Sequence, residues 1–223
     1  MDTLKRLAFF ILCVITITSC GPKDKDTDTD PKEEEPKVTV SNFSQLKIGN
    51  YWIYQEYTID SALTTETPTA VFDSCYIENT ITVLGNKYYQ ISISNGMTSF
   101  SYRFLRDSAD CIVDNSGYVE FSLHNFSTPL YTYYQVLNPG DTASKIVVQM
   151  IDRGTSTTVP LGTFQTINSQ MKVHMYPPYQ MAGIDRNSNR KFSENIGIVS
   201  QTKLFSTGNS NYTELRLVRY HLN

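Results

Sequence analysis

The chain divides into three stretches by its pattern of apolar and polar positions. Residues 7 to 17 form a predominantly apolar run, residues 21 to 37 contain no aromatic or aliphatic residue, and from Tyr51 onward apolar side chains recur at every second position. A period of two predicts β-strands with one buried face. No window after residue 20 shows the 3.6-residue period of a helix, so we expect few helices.

Turn residues divide the alternating region into about ten to twelve predicted strands. Gly85-Asn86 and the stretch 114–117 are turn signals of this kind. The predicted strands cover residues 51–59, 75–83, 89–93, 100–104, 111–113, 118–123, 130–136, 145–151, 162–167, 171–176, 197–205 and 213–220. Many short strands with short connections predict an all-β fold, which would be a single antiparallel sheet, a sandwich or a partly closed barrel.

Residues 1–19 have the layout of a secretory signal peptide. Lys5 and Arg6 provide a positive start, and the apolar run is shorter than the roughly twenty residues that span a bilayer. The tetrapeptide ending in Cys20, Ile-Thr-Ser-Cys, resembles the lipobox of bacterial lipoproteins. The resemblance implies that Cys20 is lipidated and that the mature chain is anchored to a membrane without spanning it. An ordinary cleavable signal or a signal anchor is the alternative.

Residues 20–37 are predicted to be the lipidated cysteine followed by a disordered acidic tether. Residues 21–37 hold seven acidic residues, four lysines and three prolines. Such a segment buries too little apolar area to offset its ordering entropy. By resemblance to Gram-negative lipoproteins, Gly21 after the cysteine implies the outer membrane, and the acidic run resembles a cell-surface export signal. The alternatives are the periplasmic face of that membrane and a plain solvated spacer.

Residues 38–223 are predicted to be a single β domain, and they carry three short motifs. The motifs lie at residues 46–54, 159–164 and 194–199. In this order they resemble landmarks of uncharacterised Gram-negative envelope lipoproteins built on antiparallel sheets, some of them curled into half-barrels like periplasmic lipoprotein carriers.

The same motifs have a structural interpretation that needs no shared function. Each glycine is expected at a turn or bulge with positive φ, and the large apolar residue near it in the core. The glycines are Gly49, Gly162 and Gly197, and the apolar residues are Trp52, Phe164 and Ile198.

Composition restricts the class of partner. The chain has a net charge of −3, and the β domain is nearly neutral, so no basic surface for nucleic acid is expected. All fifteen tyrosines follow residue 50. The densest groups are candidate binding aromatics because tyrosine rings stack on sugars and anchor protein partners, although most tyrosines in sheets are packing partners. These candidates are Tyr131, Tyr133 and Tyr134, and Tyr176 with Tyr179.

Two kinds of covalent modification are also candidates. Cys75 and Cys111 could form a disulfide in an oxidising envelope or remain buried free thiols. Three Asp-Ser/Thr-Ala tripeptides resemble sites that some envelope bacteria O-glycosylate, which makes Ser61, Ser108 and Thr142 candidate glycosylation sites.

Known catalytic motifs are absent from the sequence. The three histidines are isolated, so no zinc site is predicted, and no phosphate-binding or dinucleotide-binding glycine motif occurs. Asp185, Asn187 and Asn189 begin like a calcium loop, but Arg190 stands where that loop needs glycine. We therefore expect no metal and no cofactor.

The resulting prediction is a non-catalytic lipoprotein that binds a glycan or a protein, or serves as an envelope-structural module. One alternative is a half-barrel carrier of an apolar ligand such as a lipid or acyl chain, which would need a large apolar cavity. The other is an unrecognised hydrolase, which would need a histidine near a serine and an acid.

Overall fold

The computed structural model describes residues 37–60, 64–96, 99–178, 185–203 and 211–223. The described residues form one short helix and twelve strands, so the predicted all-β fold is confirmed. The elements are α1 (Ser41–Ser44), β1 (Tyr51–Asp60), β2 (Thr65–Val83), β3 (Asn86–Asn95), β4 (Ser99–Ser108), β5 (Cys111–Asp114), β6 (Val119–Ser122), β7 (Tyr131–Asn138), β8 (Asp141–Val159), β9 (Gly162–Met175), β10 (Asp185–Ser193), β11 (Gly197–Lys203) and β12 (Asn211–His221).

All twelve strands belong to one antiparallel sheet in the order β6-β5-β4-β3-β2-β1-β12-β11-β10-β9-β8-β7. Every strand is hydrogen-bonded to a strand adjacent in sequence, and only the central pair, β1 with β12, joins distant parts of the chain. The strands β6 and β7 therefore form the two ends of the sheet.

The sheet curls until it is nearly closed, because β6 lies on the inner face of β8 and β9. The Ser169 hydroxyl donates to the Glu120 carbonyl oxygen at 2.6 Å, and the Ser122 amide donates to the Met150 sulfur at 3.4 Å. These bonds hold β6, one end of the sheet, against β8 and β9.

The hydrophobic core fills the inner side of the curl. Phe121 on β6 is fully buried, and its ring lies 5.2 Å from that of Phe43 in α1 and 4.7 Å from that of Phe192 on β10. Burying each of these rings stabilises the fold by about 2 kcal/mol. One aromatic cluster thus joins the helix to strands from both halves of the chain.

Two of the three sequence motifs contact each other across the central part of the sheet. The Trp52 indole donates to the Ile196 carbonyl at 2.7 Å, and the Tyr54 hydroxyl donates to the Ile198 carbonyl at 2.9 Å. Between these two acceptors Gly197 adopts φ +96°, and a Cβ atom there would lie 3.4 Å from the Trp52 ring. The predicted positive φ and close backbone approach are confirmed at this glycine.

The β2–β3 hairpin differs from its prediction by one residue. Val83 pairs with Asn86, so the two turn residues are Leu84 and Gly85 rather than Gly85 and Asn86. Both have positive φ, 49° and 77°, as a type I′ turn requires. The register of the buried residues on the two strands therefore outweighs the poor preference of leucine for this conformation.

Candidate functional site

The inner face carries a polar region with six charged side chains. Glu120 accepts hydrogen bonds from Arg103 and from Arg190, the latter at 2.8 Å. Lys203 contacts the carboxylates of Glu56 at 2.6 Å and Asp73 at 3.1 Å. The three acids and three bases are Glu56, Asp73, Glu120, Arg103, Arg190 and Lys203.

The pKa shifts show that these ion pairs are tightly coupled. Burial raises the pKa of Glu120, but Arg103 and Arg190 outweigh burial and hold it below the usual range. Burial and the nearby Arg103 lower the pKa of Arg190. Because the positive and negative charges balance, this region offers no surplus charge for a ligand.

The interior cavities are small. One, of about 60 Å³, is lined mainly by aliphatic and aromatic residues together with Tyr54, Cys75 and Arg103. A second, of about 80 Å³, is lined by polar side chains including Glu120 and Arg190. Sites for small organic ligands usually measure about 300–1,000 Å³. Neither of these two cavities has room for an acyl chain. A more open cleft of about 330 Å³, lined by Val38, Phe43, Leu123 and Ile167 together with polar side chains, lies elsewhere in the described chain.

A histidine–carboxylate pair lies in a more open cleft. His174 Nδ1 lies 2.7 Å from Asp185, and Lys172 lies 2.5 Å from the same carboxylate. Hydrogen bonds from Lys172 and His174 lower the pKa of Asp185. The cleft, of about 360 Å³, is lined also by Tyr176 and contains no serine. The geometry here does not assemble the serine, histidine and acid of a hydrolase.

The predicted tyrosine cluster on β7 is divided between different environments. Tyr131 lines the polar inner cavity, with its ring 4.7 Å from that of Tyr118. Tyr133 and Tyr134 are exposed, and by alternation they point to opposite faces of β7. Lys145 lies 6.0 Å from the Tyr134 ring. The three side chains therefore do not form one binding platform.

The remaining candidates are dispersed. Tyr176 contacts His174 edge-to-face, with ring centres 4.9 Å apart. Ser108 lies at the end of β4 and Thr142 near the start of β8, both partly exposed. Cys20, Ser61 and Tyr179 lie outside the described residues, as do the predicted signal peptide and nearly all of the tether.

Cys75 and Cys111 are free thiols in the structure. Cys75 on β2 lines the inner apolar cavity, whereas Cys111 lies on β5, three strands away. Neighbouring strands are about 4.8 Å apart, and the Cα atoms of a disulfide must lie within about 7 Å. The candidate bridge is thus not formed, and forming it would require the sheet to rearrange.

The outer face of β2, β3 and β4 exposes four aromatic side chains that the sequence analysis did not select. Phe100 is 70% exposed, Tyr102 54%, Phe72 48% and Tyr76 43%. Folded domains usually distribute exposed aromatic residues singly, whereas these four share three adjacent strands. They are the densest exposed aromatic group near the centre of the described sheet.

Strand register places three of these rings beside small polar residues of β3, and Phe72 precedes Ser74 by two positions on β2. Ser92 on β3 pairs with Tyr76 on one side and Tyr102 on the other. In the next row, Ser94 pairs with Ser74 and Phe100. We name this surface the aromatic trough, and its residues are Phe72, Ser74, Tyr76, Ser92, Ser94, Phe100 and Tyr102.

None of the seven trough residues is charged. The two walls of the trough stand on β2 and β4, two strand spacings or about 10 Å apart, with serine hydroxyls between them. The arrangement can stack planar or ring-shaped groups against aromatic faces while offering hydroxyl donors and acceptors from below. It contains no carboxylate or histidine to transfer a proton.

The described parts of the chain contain no helix long and apolar enough to cross a membrane. They also contain no group of three histidine, cysteine, aspartate or glutamate residues that could hold a metal ion.

Comparisons with known proteins find similarity only at the level of structure. No family model and no curated protein matches the sequence. A Bacteroides fragilis protein described as exported, with a YmcC-like fold, is similar with a TM-score of 0.47 and 11% identity over 80% of this chain and 98% of that chain. A Parabacteroides distasonis protein described as a lipoprotein has a TM-score of 0.46 and 14% identity over 83% of this chain and 100% of that chain. At these levels the descriptions apply to those proteins and are not extended to this chain.

Proposed function

We propose that this protein is a lipid-anchored outer-membrane lipoprotein, facing the cell surface, that binds a neutral glycan chain through the aromatic trough without catalysis. The single observation that carries the ligand class is the group of four exposed aromatic rings on three adjacent strands, of which Tyr76, Tyr102 and Phe100 pair with the serines of β3. The anchor and location rest on the lipobox resemblance at Cys20 and on the acidic segment that follows it.

The chemistry of the trough favours a carbohydrate over a protein side chain. The apolar faces of sugar rings stack on aromatic rings, and sugar hydroxyls need short polar partners such as serine. A partly hydrated site of this kind can bind through direct and water-mediated hydrogen bonds together. Since none of the seven trough residues is charged, the proposed glycan is neutral.

The trough also lacks what glycoside hydrolysis would need. Most glycosidases place two carboxyl groups about 5–10 Å apart on either side of the scissile bond. One acid, Glu78 on β2, lies exposed beside the trough and accepts a hydrogen bond from Gln90 at 3.1 Å, whereas Asp73 is buried on the inner face. A second outward-facing carboxylate is not found among the seven trough residues. We therefore propose binding without cleavage.

Binding of soluble neutral oligosaccharides, measured by calorimetry across a panel of glucans and mannans, tests this proposal. We expect Tyr102→Ala to weaken binding about tenfold, which corresponds to about 1.4 kcal/mol. Tyr134→Ala is the matched control, because Tyr134 is 51% exposed but lies on β7, away from the trough. Failure of the whole panel to bind, or equal binding by Y102A and the unsubstituted protein, would refute the proposed ligand class.

A further inference from the structure

The two ends of the sheet differ in how they are covered. The β6 end lies on the inner face of β8 and β9, with Phe121 fully buried. The β7 end is hydrogen-bonded only to β8 within the described chain. Residues 132–138 are all exposed, so both faces and one edge of β7 face solvent.

Residues 131–135 of β7 also lack the features that usually protect an edge strand. Native edges carry charges, proline or strong bulges that prevent pairing with another strand. The strand Tyr131–Asn138 has no charged residue, no proline and no glycine, and Tyr133, Tyr134, Val136 and Leu137 expose 45–53% of their surface. Register shifts occur only from Gln135 onward, so residues 131–135 form a regular strand.

We propose that β7 pairs with β7 of a second copy of this chain, antiparallel and about a two-fold axis, so that two sheets become one. Pairing about Tyr133 places Tyr133 opposite its own copy, Thr132 opposite the partner's Tyr134, and Tyr131 opposite the partner's Gln135. Each of these pairs is uncharged, and tyrosine–tyrosine and threonine–tyrosine neighbours stabilise antiparallel strands. The edge is therefore complementary to itself.

Charge does not oppose contact between two copies at this strand. The chain carries a net charge of −3, but Tyr131–Asn138 has no charged residue, so no like charges of β7 meet across a two-fold β7–β7 contact. A basic or acidic partner would gain no charge complementarity from this strand. A two-fold contact uses the same patch on both chains, as most homodimers do.

The expected affinity is modest. One strand pair and its exposed side chains bury an area at the low end of specific interfaces, where weak and transient contacts are found. We therefore expect a dimer that dissociates on dilution.

Sedimentation velocity of the full chain across a concentration series, in a detergent that keeps acyl chains apart, tests the inference. We expect a monomer–dimer equilibrium that Tyr133→Lys abolishes, because the axis places two like charges opposite each other. Tyr102→Lys is the control, since Tyr102 is similarly exposed but lies in the aromatic trough. A monomer at every concentration, or a dimer that survives Y133K with its circular dichroism unchanged, would overturn the proposal.

Cysteine substitution tests the register separately. Tyr133→Cys should form a disulfide between copies under mild oxidation, whereas Thr132→Cys, which lies opposite Tyr134 of the other copy, should not. Peptide mapping distinguishes this bond from any that involves Cys75 or Cys111. Equal cross-linking of both variants would rule out the two-fold axis at Tyr133. The test is independent of glycan binding, because the aromatic trough lies on β2, β3 and β4.

Discussion

At the scale of single residues, Glu120 is the side chain on which the interior charges most depend. It is the shared partner of Arg103 and Arg190, which keep 25% and 31% of their side-chain surface exposed while Glu120 keeps 15%. Removing its charge would leave two guanidinium groups facing each other, and a partly buried uncompensated charge is costly.

Glu120→Gln should lower the free energy of unfolding by about 3 kcal/mol at pH 7, the lower end of the range for breaking a buried pair. The folded-state pKa of Glu120 is lowered from its ordinary value of 4.5, so its contribution is present above that pH and is lost as pH falls below it. The difference in the free energy of unfolding between E120Q and the unsubstituted protein, measured by urea denaturation, should therefore be smaller near pH 3 than at pH 7.

Glu66→Gln is the matched control for this substitution. Glu66 pairs with Arg216 at 2.7 Å but is 52% exposed, and exposed pairs contribute about 0–1 kcal/mol. If E120Q and E66Q cost the same at pH 7, the proposed role of Glu120 is wrong.

The two thiols should differ in reactivity. Burial raises the pKa of Cys75 to about 11, so little thiolate forms there at pH 8. We expect iodoacetamide at pH 8 to label Cys111 faster than Cys75, as measured by peptide mass spectrometry. Labelling of both cysteines only after reduction would instead show that the Cys75–Cys111 bridge forms.

At the scale of elements, Gly49 leaves room for the side chain of Asn223 to pack against the start of β1. It adopts φ +91°, and a Cβ atom there would lie 2.3 Å from the Asn223 side-chain nitrogen. That nitrogen donates to the Ile48 carbonyl at 3.0 Å, and the Asn223 backbone amide donates to the Asn50 side chain at 2.8 Å. The Gly-Asn pair of the first motif therefore has a structural role.

Gly49→Ala should destabilise the protein by about 1 kcal/mol more than Gly85→Ala, as measured by chemical denaturation. Both positions have positive φ, so both substitutions carry backbone strain, but Gly85 has open space around it. The additional cost is the displaced Asn223 hydrogen bond. In an Asn223→Ala background the difference should vanish, and its persistence would contradict this explanation.

The alternation of apolar residues predicted the strands well but not always the face that each strand buries. Phe100, Tyr102 and Phe104 alternate like a buried face, yet Phe100 and Tyr102 point outward. The reason is pairing with β3, where Ile91 lies opposite Arg103 and turns that arginine inward. Register between strands is a tertiary property, so the aromatic trough could not be found from one strand's pattern.

Strand β9 shows a second limit of the sequence pattern. The sequence predicts two strands at 162–167 and 171–176, but Gly162–Met175 is one strand that includes the polar residues Asn168, Ser169 and Gln170. Asn168 and Ser169 are buried, and they bond to the Asn189 side chain and to the Glu120 carbonyl. These partners come from other strands, so their presence is not visible in the local sequence.

At the scale of the whole molecule, the proposed anchor at Cys20 would decide where the β domain acts. If Cys20 is lipidated, its acyl chains hold the protein at the membrane, because each buried CH₂ contributes about 0.8 kcal/mol. We expect Cys20→Ala to move the protein from the membrane fraction to the soluble fraction or to leave the signal peptide uncleaved. Cys111→Ala is the control and should remain membrane-bound.

Mass spectrometry of the mature N-terminus checks the same prediction directly. An acylated Cys20 is the expected result, and a mature chain without acyl groups would contradict it. Protease accessibility on intact cells then distinguishes the cell surface from the periplasmic face.

The strand order has a consequence for how the chain could be divided. The boundary between β1 and β12 divides the sheet into β1 to β6 and β7 to β12, so a break between Ser127 and Thr128 would separate two contiguous pieces with no strand interrupted. The pieces would retain a common seam, where the Trp52 indole donates to Ile196 and the Tyr54 hydroxyl donates to Ile198. Co-expressed fragments should therefore reassemble through that seam and through the contacts of β6 with the other piece, where Ser169 donates to the Glu120 carbonyl and Phe121 packs on Phe192, which would make the protein usable as a split reporter.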